Sequence, residues 1–343
     1  MTQTALSEIG EFGLIDRLTK GFTTVNQSTK LGVGDDCAIM SYGDKVDIVI
    51  TTDLLVEGIH FDLMYCPLKH LGYKAVMVNL SDIYAMNGTP KQITVSIAVS
   101  AKFSVEALDQ LYEGISLACK KHSVDLIGGD TSSSITGMTI SITAIGEVEK
   151  DMAVKRSGAK PNDLICISGD LGGAYMGLQI LEREKHVFTK TGSQSPKLQG
   201  YDYVLEKQLK PEARKDIIER LTKYNIKPTS MIDISDGLSS ELLHICRRSS
   251  VGCKVYSDKI PVNKNTEKVA TEFNIDPLTA ALNGGEDYEL LFTVDINDFH
   301  KISMVSDVCI IGNITTSNEG ENLITKQGEK IKIIAQGWNG FSH

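Results

Sequence analysis

Apolar positions recur along the chain with two different periods, which predict helices and strands in both halves of the sequence. Leu71, Ala75 and Val78 fall at positions i, i+4 and i+7 and therefore share one face of a helix. Short β-branched runs between polar or turn residues predict strands instead. We predict helices over 7–20, 67–86, 105–121 and 172–185 and one that follows 235–237 and ends at 248, and strands over 46–50, 92–100, 125–127, 138–146, 164–168, 231–234 and 288–294. This mixture is typical of an α/β or α+β fold.

One basic, turn-rich segment separates these elements into two groups. Residues 155–163 have the sequence KRSGAKPND, which lacks an apolar period and indicates a domain boundary. A chain of 343 residues is long enough for two domains, each with its own core. We therefore expect one domain over 1–150 and a second over 151–343. The polar segment 187–200 is expected to be a loop of the second domain.

The charge balance narrows the possible ligands. Lysine and arginine total 35 against 44 aspartates and glutamates, which gives a formal net charge of −9. A broad basic surface for nucleic acid is therefore not expected. If the ligand is a phosphate compound, metal cations would have to bridge it to so acidic a protein.

The cysteines and the apolar runs bear on the compartment. Seven cysteines are scattered without a Cys-x-x-Cys pair, which predicts reduced thiols in a cytoplasmic protein and disfavours zinc. The first 18 residues lack the basic start and apolar stretch of a signal peptide. Since no apolar run approaches about 18 residues, we expect no membrane-spanning helix.

Acidic residues follow several of the apolar runs. Asp53, Asp130 and Asp233 come after short apolar runs, the first two across Thr-Thr and Gly-Gly, and Asp82 continues the apolar stripe of the helix over 67–86. A carboxylate on such a face is costly unless hydrogen bonds or a cation satisfy it. Gathered carboxylates repel one another, and raised pKa values or bound divalent cations relieve that repulsion. Oxygen ligands without histidine or cysteine favour Mg²⁺, and the hydroxyls of Thr51 and Thr52 fit such a site.

A purely structural interpretation of these acids also exists. Aspartates before helices commonly cap them, and capping alone would explain Asp170 and Asp236. The glycine-rich turn over 169–173 could approach a phosphate or could be a plain strand–helix turn. The sequence contains no G-x-x-x-x-G-K-[ST] motif and no G-x-G-x-x-G after a strand.

Seven blocks that occur in order along the chain resemble the motifs of one family. The blocks are GDDCA at 34–38, TTDLLVEGIHF at 51–61, VNLSDIYAM at 78–86, IGGDT at 127–131, RSGAK at 156–160, IDISDG at 232–237 and GGEDYEL at 284–290. On these blocks the chain resembles the thiamine-monophosphate kinase family, in the superfamily of aminoimidazole ribonucleotide synthetase and selenophosphate synthetase. The resemblance extends from Glu11 to His343.

The resemblance implies a fold, a reaction and a set of residues. The fold would have an N-terminal mixed sheet that forms a homodimer interface and a C-terminal α/β domain, and the reaction would be ATP-dependent phosphorylation of thiamine monophosphate to thiamine diphosphate. Positions that match the family's Mg²⁺ ligands are Asp36, Thr51, Thr52, Asp53, Asp82, Asp130, Asp233 and Asp236. Positions that match nucleotide contacts are Tyr112, Gly129, Asp130, Arg156 and Ser235, and those that match thiamine contacts are His60, Glu286 and Phe341.

The chemistry of the acceptor is consistent with this reaction. A phosphate monoester is already an anionic nucleophile near neutral pH, so we expect direct in-line transfer, assisted by Asp53, Asp82, Asp130 and Asp233, without a phosphoenzyme. Taken alone, His60 would more often be structural, and Trp338 and Phe341 would form a C-terminal cover over the core. The rival interpretations are another kinase or synthetase of the superfamily, and a non-catalytic Mg-nucleotide-binding protein.

Overall fold

The secondary structure of this computed structural model, which describes residues 6–192 and 195–336, alternates helices with two groups of strands. The α-helices are α1 (Leu6–Thr19), α2 (Leu68–Ala85), α3 (Val105–His122), α4 (Gly173–Thr191), α5 (Asp202–Leu209), α6 (Lys215–Lys223), α7 (Leu238–Ser249), α8 (Lys264–Glu272), α9 (Pro277–Asn283) and α10 (Phe299–Ile302). The strands are β1 (Thr29–Leu31), β2 (Ala38–Met40), β3 (Val46–Val56), β4 (Thr89–Val99), β5 (Asp125–Ser133), β6 (Thr139–Glu149), β7 (Leu164–Ser168), β8 (Ser230–Asp233), β9 (Val251–Tyr256), β10 (Leu290–Val294), β11 (Val308–Thr316), β12 (Glu321–Ile324) and β13 (Lys330–Lys332).

The first sheet has six strands in the order β1-β2-β3-β6-β4-β5. Only the β4–β5 pair at one edge is parallel, and the other pairs are antiparallel. Helices α2 and α3 pack together in the core that covers this sheet. A Cβ on Gly72 would lie 2.0 Å from the carbonyl oxygen of Leu111, so the two helices approach each other closely because glycine stands there.

The second sheet has seven strands in the order β13-β12-β9-β11-β7-β10-β8. The β12–β9 pair is parallel and the remaining pairs are antiparallel. Every residue of β7, β10 and the edge strand β8 is buried, so this end of the sheet is covered on both faces.

Helix α2 contacts both sheets. It packs on β3, β4 and β6 of the first sheet and on β8 of the second. Fourteen of its residues are buried, which is why its sequence is apolar on most faces instead of on a single stripe. Polar side chains on this helix therefore lie between the two halves of the protein.

Three elements extend six residues beyond their predicted ends. Strand β3 continues through the Thr-Thr-Asp segment to Val56, β5 continues through the Gly-Gly-Asp segment to Ser133, and α4 continues to Thr191, into the segment predicted to be a loop. In β5 a Cβ on Gly129 would lie 1.8 Å from the carbonyl oxygen of Val95, so glycine permits the close pairing with β4. Helix α4 ends at Gly192, whose φ of 67° is the left-handed conformation typical of a helix end.

The capping interpretation of two aspartates is wrong. Gly172 and Gly237 occupy the N-cap positions of α4 and α7, and neither cap makes a side-chain hydrogen bond. Asp170 accepts a hydrogen bond from the Tyr203 hydroxyl. The carboxylate of Asp287 accepts from the backbone amides of Gly172 and Ala174 instead, at 2.7 and 3.2 Å. The first turn of α4 is thus satisfied from within the protein, which favours a plain strand–helix turn at 169–173.

Among the described residues, no helix has the length and apolar character that crossing a membrane would require.

Candidate active site

A large cavity of about 1610 Å³ lies between the two halves of the chain. Its walls come from the loop before β2, from β3 and the segment after it, from α2 and α4, and from the segments after β8 and before β10. Eleven of the residues predicted from the sequence line it: Asp36, Thr51, Thr52, Asp53, His60, Asp82, Arg156, Asp233, Ser235, Asp236 and Glu286. The fold therefore gathers positions that lie up to 250 residues apart in the sequence.

Three carboxylates form a tight cluster at one end of the cavity. Asp36, Asp82 and Asp233 each place one carboxylate oxygen within 4.8 Å of the others. Asp36 and Asp233 are 6% and 3% exposed, so little bulk water separates the charges. Oxygen Oδ2 of Asp36 is buried and lacks a hydrogen-bond partner. A set of converging oxygen ligands with an unpartnered acceptor fits a small divalent cation such as Mg²⁺.

Hydrogen bonds from neighbouring side chains orient the cluster. The Thr51 hydroxyl donates to Oδ2 of Asp82 at 2.6 Å, and the Ser81 hydroxyl donates to Oδ2 of Asp233 at 2.6 Å. Oδ1 of Asn79 accepts from the backbone amide of Asp53 at 3.1 Å. Sequence reasoning missed Asn79 and Ser81, although both stand in the block that ends at Asp82. Both residues lie on buried faces of α2, and the apolar periodicity alone does not distinguish them from residues of the hydrophobic core.

Arg156 compensates part of the negative charge. Its Nε and Nη2 both lie within hydrogen-bond distance of Oδ1 of Asp36, at 3.0 and 2.6 Å. The Asp35 carboxylate accepts from the backbone amide of Arg156 at 3.1 Å, which fixes the arginine at the cavity wall. A guanidinium held in this way can also contact a phosphate.

The carboxyl groups of the cluster have strongly raised pKa values. Burial and the nearby Asp233 charge raise the pKa of Asp36 to about 8, although Arg156 opposes the shift, and burial together with the Asp233 charge raises the pKa of Asp53 to about 7. Burial raises the pKa of Asp236 to about 6 and that of Asp82 well above its usual value. The cation-free site therefore resists full ionisation near neutral pH.

Without a divalent cation, the protein is expected to lose thermal stability as the pH rises from about 5.5 to about 8.5. A carboxyl group whose pKa is higher in the folded than in the unfolded state stabilises the fold at low pH. That contribution disappears as the pH passes the raised values of about 6 for Asp236, about 7 for Asp53 and about 8 for Asp36. Added Mg²⁺ should raise the melting temperature most at the alkaline end, because it stabilises the ionised carboxylates. Scanning fluorimetry with chelator or with Mg²⁺, at pH of about 5.5 and about 8.5, measures these melting temperatures. A rise on adding Mg²⁺ that is equal at the two pH values would contradict the prediction.

His60 and Glu286 add a different chemistry to the cavity wall. Nδ1 of His60 accepts from the backbone amide of Val56 at 3.0 Å, and burial lowers the pKa of the ring. His60 is therefore neutral at pH 7 and carries its proton on Nε2, which can donate to a ligand. Glu286 accepts from the Tyr288 hydroxyl at 2.9 Å and forms an ion pair with Lys74. Tyr175 and Ile275 add apolar surface to the same cavity.

Three of the predicted site residues that the structure describes are not part of the cavity wall. Tyr112 lies on α3 and packs against the core of the first half. Gly129 and Asp130 lie in β5, the exposed edge strand of the first sheet, and every residue of β5 is exposed. Phe341, like Trp338, lies outside the described residues. Within one chain, the described residues thus bring together most of the predicted site and leave Tyr112, Gly129 and Asp130 away from the cavity.

Comparison with known families defines the class of protein. Residues 34–148 match the family model described as AIR synthase related protein, N-terminal domain. This region contains the first sheet from β2 to most of β6, together with the acidic residues of β3 and α2. The first half of the chain therefore carries the N-terminal domain of AIR synthase related proteins.

Full-length relatives narrow this class to one family. The thiamine-monophosphate kinase of Bacillus subtilis is 32% identical over 336 residues, which cover 96% of this chain and 99% of that protein. The thiamine-monophosphate kinase of Aquifex aeolicus is 33% identical over 337 residues, covering 98% and 99%. The chain belongs to the thiamine-monophosphate kinase family, which confirms the resemblance drawn from the seven blocks.

A solved structure shows the same fold. AaThiL complexed with AMPPCP and TMP superposes with a TM-score of 0.82 at 31% identity, covering 99% of both chains. The two-sheet arrangement of mixed strands and helices is therefore the fold of this family, as the sequence predicted.

Proposed function

We propose that this protein transfers the γ-phosphoryl group of ATP to thiamine monophosphate and so makes thiamine diphosphate. The observation that carries the proposal is the cavity itself, which is lined by the acidic cluster and Arg156 together with His60 and Glu286. The same fold in AaThiL accommodates AMPPCP, an analogue of ATP, together with TMP. A cavity of about 1610 Å³ is large enough for both substrates.

The acidic residues would hold Mg²⁺. Asp36, Asp82 and Asp233 would provide the nearest oxygen ligands, and Asp53, Asp236, Thr51 and Thr52 line the same wall. When bound, Mg²⁺ would offset the repulsion between the two phosphorylated substrates and the negative charge that develops during transfer. The raised pKa values of the carboxyl groups are consistent with this role, because a cation replaces the protons that otherwise neutralise them.

The residues of the chain would position the two phosphates for direct transfer. Arg156 and Ser235 would contact the nucleotide, with Arg156 held by Asp35 and Asp36. The acceptor phosphate is already anionic, so catalysis needs alignment of its oxygen with the γ-phosphorus more than it needs a general base. Neutral His60 would donate Nε2–H to the acceptor substrate, and Glu286 would face its cationic thiazolium or its aminopyrimidine. Phosphoryl transfer would then proceed without a covalent phosphoenzyme.

We also propose that the protein acts as a cytoplasmic homodimer in which the first sheets pair and complete the site. Strand β5 is an exposed edge strand that carries the apolar side chains Leu126 and Ile127 at 46% and 57% exposure. Such an edge is a ready surface for association. A second copy packed there could bring its own Asp130 to the cavity, together with Gly129. This arrangement is consistent with one domain over 1–150 and a second over 151–343, since the first sheet ends at Glu149 and the second begins at Leu164.

An activity assay tests the proposed function. Purified protein with ATP and Mg²⁺ should convert thiamine monophosphate to thiamine diphosphate and should not consume ATP with aminoimidazole ribonucleotide precursors or selenide. With γ-labelled ATP, the label should appear in thiamine diphosphate and not in acid-precipitated protein. Binding of ATP without turnover of thiamine monophosphate, or preferred turnover of another acceptor, would overturn the proposal.

A further inference from the structure

A lysine behind the cavity wall is paired with a carboxylate in that wall. Lys74 lies on α2, and its side chain is only 3% exposed. It forms an ion pair with Oε2 of Glu286, and its ammonium donates to the backbone carbonyl of Gln208 at 3.1 Å. Glu286 and Gln208 line the cavity, whereas Lys74 stands behind them. A lysine is rarely buried this far unless a partner holds its charge.

The second oxygen of Glu286 is held as well. The Tyr288 hydroxyl donates to Oε1 at 2.9 Å, and Tyr288 is itself 6% exposed. Two donors from different parts of the chain thus fix the plane of the carboxylate. The Glu286 side chain keeps 30% of its surface exposed to the cavity, so its remaining lone pairs can accept from a ligand.

The backbone around Glu286 has an unfavourable conformation that neighbouring hydrogen bonds hold in place. Glu286 and Tyr288 have φ values of 63° and 51°, in the left-handed region that costs free energy for residues other than glycine. The segment is tied to the chain after β8, because the amide of Glu286 donates to the Ser235 carbonyl at 2.7 Å and that of Tyr288 to the Ile234 carbonyl at 2.9 Å. Persisting strain of this kind is typical of a segment whose geometry serves a site.

We infer that Lys74 is a positioning residue for the acceptor substrate: it holds Glu286 in the orientation that receives the thiamine part of thiamine monophosphate. This inference rests on the proposed function. The ammonium also offsets the repulsion between Glu286 and the acidic cluster that shares the cavity. Lys74 is contributed by the N-terminal half and Glu286 by the C-terminal half, so the acceptor site depends on the junction between them.

Steady-state kinetics of Lys74→Met test the inference. The variant is expected to raise KM for thiamine monophosphate about tenfold while KM for ATP changes less than about twofold. Tyr288→Phe removes only one hydroxyl and should raise the same KM about threefold, which provides a milder test if the methionine variant fails to fold. Lys69→Met is the matched control, since Lys69 is on the same helix and pairs with Glu113, but at 52% exposure. Its KM values should equal those of the wild type.

A double-mutant cycle distinguishes positioning from a general structural role. If Lys74 acts through Glu286, then Lys74→Met added to Glu286→Gln should raise KM no further than about twofold. Three outcomes, with an active wild type, would overturn the positioning role and leave the proposed function intact. The two substitutions could raise KM for thiamine monophosphate multiplicatively, Lys74→Met could raise both KM values equally, or Lys74→Met could leave KM unchanged. A wild-type protein that does not phosphorylate thiamine monophosphate would overturn the proposed function as well.

Discussion

Replacing Asp82 with asparagine is expected to lower phosphoryl transfer by at least about a thousandfold and to raise the melting temperature of the cation-free protein. The two effects have one cause. Asp82 is half-buried beside Asp36 and Asp233, so in the empty cluster its carboxyl group must either keep a charge that its neighbours repel or take up a proton. Asparagine removes this cost and also removes a ligand that the proposed cation needs. Asparagine has the same shape, and its carbonyl oxygen can still accept from the Thr51 hydroxyl. The measurements are turnover of thiamine monophosphate and scanning fluorimetry with chelator.

The control for Asp82→Asn is an aspartate outside the cavity. Asp109 is exposed on α3, and Asp109→Asn should leave both turnover and melting temperature unchanged. Near-normal turnover in Asp82→Asn would remove that residue from the catalytic set. A lower melting temperature in the cation-free variant would show that the cluster stabilises the fold, contrary to the raised pKa values.

Mixing two inactive variants is expected to restore about a quarter of wild-type turnover if a second copy completes each site. Asp130 lies on the exposed strand β5 and away from the cavity of its own chain. In a mixed dimer of Asp82→Asn with Asp130→Asn, one site receives both substitutions and the other receives neither. Random mixing makes about half of the dimers mixed, and each mixed dimer has one intact site of two.

The complementation experiment needs the separate variants as references. Each variant alone should retain less than about 1% of wild-type turnover after the same unfolding and refolding used for mixing. Activity that stays at this level in the mixture would place Asp130 in the site of its own chain, through a rearrangement of β5. High activity of Asp130→Asn alone would remove Asp130 from the catalytic set.

The sequence predicted the acidic residues of the cavity better than it predicted where the helices and strands begin and end. Asp53 and Asp233 were found because a carboxylate beside an apolar run is unusual, and Asp82 because it continues an apolar stripe. Strand β5 was predicted too short because glycines usually interrupt strands, whereas Gly129 is needed for the close approach to β4. The local sequence pattern shows that a residue is unfavourable at its position. It does not show which backbone segment, distant in sequence, packs against that position.

Long-range pairing also explains what was missed. Judged by its local sequence, Asp236 resembled a helix cap, and only the family resemblance assigned it to the site; the cap position belongs to Gly237, and Asp236 lines the cavity. Lys74 pairs with Glu286, which is 212 residues away, and Ser81 donates to Asp233, which is 152 residues away. Such contacts depend on how the two sheets lie relative to each other, and the apolar periodicity of α2 gives no information about that arrangement.

The position of α2 has a mechanical consequence for substrate exchange. Its Ser81 hydroxyl donates to Asp233 and its Lys74 ammonium pairs with Glu286, so the helix joins the two halves of the chain through two polar contacts. Swinging the halves apart would expose two buried polar contacts at once, and a hinge at this junction is therefore unfavourable. Substrate exchange should therefore not require the two halves to separate at this junction.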